Sequence, residues 1–187
     1  MYRKMIEAYQ PKNKQEEKDK AVMLDFIKRN PDCLHRDNHV AHITSSALVV
    51  NETMAKVLFA YHKIYDSWAW LGGHNDGDAD LLKVAIKEAK EESGLKRIEP
   101  YQRDIFALDI IHVSNHIKHG AYVPDHLHLN LTFLLIARES DDIQVNPDEH
   151  LAVRWFDIDG VLHEVKEARM KPIYQKLFTA VKQLQKS

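Results

Sequence analysis

Three glutamates share a spacing that suits metal chemistry. Glu88, Glu91 and Glu92 stand at positions i, i+3 and i+4, so a helix through them places all three carboxylates on one face. Like charges at this spacing destabilise an isolated helix, and a bound cation would offset their repulsion. Carboxylates at this density suit Mg²⁺ or Mn²⁺, which bind carboxylates together with substrate phosphates. On spacing alone, a solvated charged face is the favoured alternative, with the lysines of the same segment as counterions.

Histidines form a second group with chemical potential. The chain has twelve, and ten of them lie between His35 and His128. Imidazole is a common metal ligand and exchanges a proton near neutral pH. His126 and His128 alternate on a strand-like run, which predicts that both side chains point to one face of a sheet. Each histidine taken alone is more typical of a hydrogen-bonded polar residue than of a ligand.

A helix must carry the glutamates. Residues 80–93 predict it, because the segment begins with an Asp that can cap a helix, contains no Pro or Gly, and meets Gly94 at its end. Four apolar residues form a stripe that would bind this helix to a sheet. They are Leu82, Ala85, Ile86 and Ala89.

Strand-like runs surround the helix. Apolar and β-branched segments predict strands over residues 43–51, 56–64, 68–71, 106–113, 126–137 and 150–158. Helices are expected over 21–30 and 166–185, and loops over 72–80 and 114–124. Strands interleaved with a few helices, without regular βαβ repeats, predict an α/β fold with a mixed sheet covered by helices.

The acidic helix lies inside a longer pattern. Residues 73–95, GHNDGDADLLKVAIKEAKEESGL, resemble the Nudix box, G-x5-E-x7-R-E-U-x-E-E-x-G-U. The positions that agree in register are Gly73, Glu88, Ala89, Glu91, Glu92, Gly94 and Leu95. Two positions depart from the pattern, since Lys87 replaces the usual Arg and Ala79 stands where the first Glu belongs. The family's Arg–Glu pair braces the loop against the helix, so its loss concerns loop rigidity more than metal binding.

The resemblance implies a Nudix α/β/α sandwich with a mixed β-sheet. It also implies a metal-dependent hydrolase that cleaves a diphosphate linkage in a nucleoside diphosphate derivative or a related small molecule. Glu88, Glu91 and Glu92 would be the catalytic residues and metal ligands for Mg²⁺ or Mn²⁺, and the Gly72 carbonyl would complete the metal shell. The general base stays unassigned. Glu149 is a candidate in a separate loop, with a surface acid as the favoured alternative.

The histidines resemble a second pattern. Isopentenyl diphosphate isomerases share the Nudix fold and bind a divalent metal through two N-terminal histidines, a Gly-His histidine and two acids that alternate on a strand. His35, His42 and His74 fall at the first three places, and His126 and His128 replace the acids. Five histidines would favour a second ion such as Zn²⁺ over Mg²⁺. A set of hydrogen-bonding histidines lining a substrate cleft is the alternative.

Two other functions are weaker interpretations. In the isomerase a catalytic cysteine precedes the Gly-His, whereas Gly72 stands there in this chain and Cys33 lies elsewhere. A non-catalytic, nucleotide-sensing Nudix module is the other alternative. Such regulators normally carry a DNA-binding appendage, and the N-terminal segment is too short for a winged helix.

The amino-acid composition indicates which cellular compartment and which binding partners to expect. The 187 residues carry 26 Lys and Arg against 28 Asp and Glu, a formal charge of −2, which gives no basic field for nucleic acid or an anionic membrane. A single cysteine excludes an internal disulfide, and no apolar run resembles a signal peptide or a membrane span. We expect a cytoplasmic enzyme with a small-molecule substrate, and a homodimer is left open. Residues 1–38 are expected to form an N-terminal helical extension and 39–187 the Nudix hydrolase domain.

Overall fold

Runs of strands are interleaved with a few helices, which confirms the predicted α/β class. The computed structural model describes residues 2–118 and 120–186, so His119, one of the clustered histidines, lies outside the described residues. The described helices are α1 (Tyr2–Ala8), α2 (Lys14–Arg29), α3 (Leu81–Ser93), α4 (Val161–Glu164) and α5 (Met170–Leu184). The described strands are β1 (Ala41–Val50), β2 (Lys56–His62), β3 (Ser67–Ala69), β4 (Leu71–His74), β5 (Glu99–Pro100), β6 (Ala107–Val113), β7 (His116–Lys118), β8 (Ala121–Val123), β9 (His126–Ile136) and β10 (His150–Asp157).

Backbone hydrogen bonds define the strand order. It runs β10-β2-β1-β9-β5, with β3 beside β2, β4 beside β1 and β6 beside β9. The sheet is mixed, as predicted. The pairs β1–β2, β2–β10, β2–β3, β5–β9 and β6–β9 are antiparallel. Among the described helices, none has the length and apolar character that crossing a membrane requires.

The chain divides into two compact units. The first comprises residues 1–46, 73–85 and 102–133, and the second comprises residues 47–72, 86–101 and 134–187. The expected boundary at residue 38, between an extension and a domain, stays a prediction.

In the first unit, helix α2 packs on strand β6. Asp19 on α2 accepts a hydrogen bond of 3.0 Å from the backbone N–H of Ile110 on β6, and Met23 is fully buried. The helix is longer than the predicted 21–30 because it is capped upstream. The side chain of Asn13 accepts a hydrogen bond from the backbone N–H of Glu16, which satisfies one of the free donors of the first turn.

In the second unit, helix α5 packs on strand β2 through aromatic rings. Tyr174 and Phe178 stand at i and i+4 and therefore share a helical face. Their ring centroids lie 4.9 and 6.3 Å from that of Phe59 on β2, and all three side chains are buried. Helix α5 begins at Met170, four residues after the predicted start.

Helix α3 begins and ends almost as predicted. The Asp80 side chain accepts a 3.1 Å hydrogen bond from the backbone N–H of Lys83, which caps the first turn. At the other end Gly94 has a φ of +71°, the left-handed conformation that glycine adopts without strain. Of the predicted apolar stripe, Leu82, Ala85 and Ala89 are buried and Ile86 is partly exposed.

Two predicted loops contain strands. Residues 71–74 form β4, which pairs with β1, so the predicted loop over 72–80 was wrong at its beginning. The expected loop over 114–124 contains the antiparallel pair β7–β8, with Ile117 opposite Tyr122. Both of these side chains are exposed, which explains why the segment lacks the apolar pattern of a buried strand.

Candidate active site

The last two turns of α3 carry the three predicted glutamates in three different environments. Glu92 is buried at 5% exposure, Glu88 is partly exposed, and Glu91 is exposed. The ammonium of Lys87 lies 2.9 Å from a carboxylate oxygen of Glu88 and 2.9 Å from one of Glu91. The counterion interpretation therefore applies to the outer two carboxylates. It does not describe Glu92, whose surroundings are protein interior.

Glu92 is held by Gly72, the first residue of the glycine pair. The backbone N–H of Gly72 donates a 2.9 Å hydrogen bond to Oε2 of Glu92. Gly72 has a φ of +146°, a conformation that side-chain-bearing residues rarely adopt, so the glycine permits this approach. The resemblance assigned the Gly72 carbonyl to a metal shell, and that assignment stays a prediction. The contact that the structure adds is the N–H, which fixes the orientation of the carboxylate.

The surroundings of Glu92 destabilise its ionised form. Burial raises its pKa well above the ordinary value, and the neighbouring charges of Glu88, Glu149 and Glu91 raise it further. The hydrogen bond from Gly72 opposes this effect by stabilising the ionised form. A carboxylate in such a place is costly to ionise unless a cation shares it.

Glu149 and His150 complete the group in the second unit. Glu92, Glu149 and His150 each offer one ligand atom, and these three atoms lie within 4.8 Å of one another. Nε2 of His150 is 3.6 Å from Oε1 of Glu92, and the side chain of His150 is buried. Burial lowers the pKa of His150, which favours the neutral imidazole. The buried Nδ1 of His150 has no hydrogen-bond partner within the described part of the chain.

An irregularity in the sheet aims these two side chains. The register between β10 and β2 shifts between His150 and Ala152, and the backbone N–H of Lys63 donates to the Glu149 carbonyl at 3.1 Å. Such a shift changes the direction of the flanking side chains, and β-bulges are frequent beside active sites. The sequence interpretation favoured a surface acid at Glu149 and assigned no role to His150. An acid–His pair at the start of a strand was the only available signal, and it is weak without the register.

The donor set fits a hard divalent cation. Glu92 and Glu149 offer carboxylate oxygens in one metal-sized group with His150, and Glu88 and Glu91 add negative charge that acts on Glu92. We name Glu88, Glu91, Glu92, Glu149 and His150 the acidic cluster. Oxygen-rich, negatively charged surroundings of this kind are the ones that Mg²⁺ and Mn²⁺ prefer.

The first unit contains the predicted histidines. The structure brings together His42 on β1, His74 at the end of β4, and His126 and His128 on β9, and we name these four the histidine cluster. Five ring pairs among them have centroid distances of 5.0 to 5.1 Å. Nε2 of His126 lies 3.2 Å from Nε2 of His128, so the alternation on β9 does place both rings on one face.

His35 is placed differently. Its ring packs against Gly77, where a Cβ would lie 2.6 Å from Cε1 of His35. Gly77 has a φ of +92°, so this position favours glycine for its conformation, and a side chain there would displace the His35 ring. Within the described residues, the ring nitrogens that gather into a metal-sized group in this unit are those of His42, His74 and His128. The assignment of His35 to a metal stays a prediction without a supporting contact.

Comparison with known proteins agrees with this architecture. The model of the NUDIX domain matches residues 40–177, and the chain therefore belongs to the Nudix family. No curated protein matches the chain. Among solved structures, the Escherichia coli dihydroneopterin triphosphate pyrophosphohydrolase is similar with a TM-score of 0.56 and 16% identity, over 73% of this chain and 94% of that one.

Two further structures show the same fold. A NUDIX-family hydrolase from Clostridium perfringens has a TM-score of 0.55 and 18% identity, over 76% of this chain and 97% of that one. A Caenorhabditis elegans Ap4A hydrolase has a TM-score of 0.53 and 17% identity, over 74% of this chain and 95% of that one. At these identities the likeness establishes the Nudix fold and leaves the substrate open.

Proposed function

We propose that the chain is a metal-dependent hydrolase that cleaves a diphosphate linkage in a nucleoside diphosphate derivative or a related small molecule. The observation that carries the proposal is the buried carboxylate of Glu92, which accepts a 2.9 Å hydrogen bond from the N–H of Gly72 and lies in one metal-sized group with Glu149 and His150. It lies in a Nudix-box register within a chain that belongs to the Nudix family.

Each residue of the acidic cluster has a proposed task. Glu92, Glu91 and Glu88 would hold Mg²⁺ or Mn²⁺, which would supply positive charge against the non-bridging oxygens of the diphosphate. Water attacks one phosphorus, the bond from that phosphorus to the bridging oxygen breaks, and each product keeps one phosphoryl group. Glu149 accepts the proton released by the attacking water. It is a better candidate base than an exposed acid because it lies in the same group as Glu92.

The two alternative functions have less support. The isomerase interpretation needs a proton-transferring cysteine, but Cys33 is fully buried and its thiol contacts the hydroxyl of Tyr2 at 3.4 Å. A purely sensing module gives Glu149, which lies in one group with Glu92, no proton to accept. The hydrolase is the function that uses this carboxylate.

The test combines a substrate panel with glutamate variants. Nucleoside triphosphates, nucleotide sugars, dinucleotides and prenyl diphosphates are incubated with the protein and Mg²⁺ or Mn²⁺, and products are separated by HPLC. For the substrate that is cleaved, E91Q and E92Q should each lower kcat/KM at least about 100-fold, because each removes charge stabilisation of the transition state. E99Q, at an exposed glutamate on β5, is the matched control.

Three outcomes would contradict the proposal. Metal-dependent cleavage that persists in both E91Q and E92Q would place the chemistry elsewhere. Absence of hydrolysis across the panel, with binding retained, would favour the sensing module. Conversion of a prenyl diphosphate to an isomer without phosphate release would favour the isomerase.

A further inference from the structure

We propose that the histidine cluster, His42, His74, His126 and His128, is a second metal site that binds a late first-row divalent ion such as Zn²⁺. The site belongs to the first unit and uses nitrogen ligands, whereas the proposed hydrolytic site uses oxygen. The inference therefore goes beyond the proposed hydrolase and does not depend on it.

The spacing of the four rings matches tetrahedral coordination. A zinc–nitrogen bond of about 2.0–2.1 Å, plus about 1.1 Å from nitrogen to ring centre, places four tetrahedrally arranged imidazole centres about 5 Å apart. Five of the ring pairs have centroid distances of 5.0 to 5.1 Å. One ring nitrogen from each of His42, His74 and His128 lies within 4.8 Å of the others. Four side chains from three strands thus converge at the spacing expected of ligands around one ion.

The closest nitrogen pair has the same spacing as two ligands of one ion. The same bond length gives a nitrogen–nitrogen distance of about 3.3 Å along one edge of a tetrahedron. Nε2 of His126 and Nε2 of His128 are 3.2 Å apart. A hydrogen bond between the two rings is the competing explanation, and the experiment below separates the two.

Backbone carbonyls set the tautomers that a metal requires. Nδ1 of His42 lies 3.1 Å from the carbonyl of Asn38, and Nδ1 of His126 lies 2.8 Å from that of Pro124. A carbonyl only accepts, so each Nδ1 carries the hydrogen and each Nε2 of the neutral ring keeps a lone pair. Ligating histidines typically donate their other N–H to a carbonyl or carboxylate in this way.

His42 has a buried ring nitrogen whose lone pair is available to a metal ion. The residue is 3% exposed, and its Nε2 has no hydrogen-bond partner among the residues that the structure describes. A buried polar atom without a hydrogen bond costs free energy, and a bound ion is one group that would satisfy it. A cation of the proposed kind would use this lone pair directly.

The ligand type selects the class of metal. All four side chains of the histidine cluster offer imidazole nitrogens. Imidazole suits Zn²⁺ and its neighbours, whereas Mg²⁺ prefers oxygen.

Hydrogen bonds order the backbone beside two of the rings. Asn38 accepts hydrogen bonds from the N–H groups of Val40 and Ala41, and Ser45 donates to Asn75, the residue after His74.

The experiment measures Zn²⁺ binding by the full chain. Metal-stripped protein is dialysed against buffered Zn²⁺ in excess Mg²⁺, which occupies oxygen sites, and bound zinc is quantified by elemental analysis and by competition with a chromophoric chelator. We expect one zinc ion per chain, and an affinity loss greater than about 100-fold in H128Q, because a direct ligand contributes more than an outer partner. H74Q is the second variant, because His74 lies on a different strand and a loss of affinity in both variants would not arise from one local folding defect.

Two controls keep the result interpretable. The double variant H39Q/H163Q changes exposed histidines outside the cluster and should bind zinc as the wild type does. Co²⁺ added in place of Zn²⁺ should give the intense visible absorption of four-coordinate cobalt in the wild type and not in H128Q. Equal zinc affinity in wild type, H74Q and H128Q would overturn the proposal, as would the weak spectrum of six-coordinate cobalt.

Discussion

The acidic cluster and the histidine cluster differ in how burial affects the form of the side chain that binds a cation. In the acidic cluster, burial and like charges push the pKa of Glu92 upward, so the form that binds a cation is the disfavoured one. In the histidine cluster, burial and neighbouring rings push the pKa of His128 downward, so the form that binds a cation is the favoured one. Burial disfavours the charged form of the side chain in both clusters. A cation binds the charged form of a glutamate but the neutral form of a histidine, so burial opposes metal binding only in the acidic cluster.

Different kinds of hydrogen-bond partner hold the two clusters in place. A cluster of charges needs partners that orient charge, such as the Gly72 N–H on Glu92 and the Lys87 ammonium on Glu91. A cluster of neutral rings needs neutral acceptors, and backbone carbonyls serve His42 and His126. This difference agrees with the two proposals, in which turnover takes place at the acidic cluster and the histidine cluster binds its ion without taking part in turnover.

The largest effect should come from the proposed base. In E149Q we expect kcat on the identified substrate to fall by about 10²–10³-fold, because an amide cannot accept the proton from the attacking water. D148N changes the adjacent exposed acid of the same loop and should keep the wild-type rate. Steady-state kinetics at saturating Mg²⁺ checks the assignment. A wild-type kcat in E149Q would move the base to another residue and weaken the contrast between the clusters.

A smaller effect should come from four uncharged, hydrogen-bonded side chains on the strands that carry the histidines. They are Thr44, Ser46, Asn130 and Thr132, and we name them the neutral network. Oδ1 of Asn130 on β9 accepts hydrogen bonds from Thr44 at 3.0 Å and Ser46 at 2.7 Å, and its amide donates to Thr132 at 3.1 Å. Asn130 is 2% exposed. In N130A we expect the free energy of unfolding to fall by about 2–3 kcal/mol, because two buried hydroxyls lose their acceptor.

Urea denaturation monitored by circular dichroism measures this effect. T132V is the graded control, since it leaves only one donor of the Asn130 amide without its acceptor and should cost about 1 kcal/mol. If N130A were as stable as the wild type, the strands carrying His42, His126 and His128 would not depend on the neutral network, and that half of the comparison would fail.

The helix and the glutamate spacing were predictable because their signals are local. A capping Asp, an uninterrupted apolar stripe and a terminal Gly94 all lie within one segment, and α3 begins within one residue of the prediction. The faces of β9 were predictable for the same reason, since a period of two determines which side His126 and His128 share. Patterns that repeat over neighbouring residues survive folding unchanged.

The composition of each cluster was less predictable because it depends on register. His150 joins Glu92 through a register shift between β10 and β2, and no local pattern announces such a shift. His35 has the right spacing before His42 but packs against Gly77. Strand β4 escaped prediction because Gly72 and Gly73 lack the side chains by which strands are recognised. Long-range pairing decided these three cases.

The smallest effect tests the cost of the acidic cluster itself. With divalent ions removed by EDTA, E92Q should be more stable than the wild type at pH 7 by roughly 1 kcal/mol, because an amide avoids the burial of a charge and still accepts from Gly72. The pKa of Glu92 is raised in the folded state, so the wild type loses stability as pH rises above the ordinary value of 4.5. The advantage of E92Q should therefore vanish near pH 4 and grow toward neutrality.

Thermal unfolding at several pH values measures that advantage, and added Mg²⁺ separates its causes. Mg²⁺ should raise the Tm of the wild type at neutral pH and leave E92Q nearly unchanged, because only a form that binds the ion gains stability from it. An E92Q protein less stable than the wild type in EDTA would mean that the carboxylate is satisfied by the protein alone. Burial would then not oppose metal binding in the acidic cluster, as it does not in the histidine cluster. The proposed division between turnover at one cluster and static binding at the other would not hold.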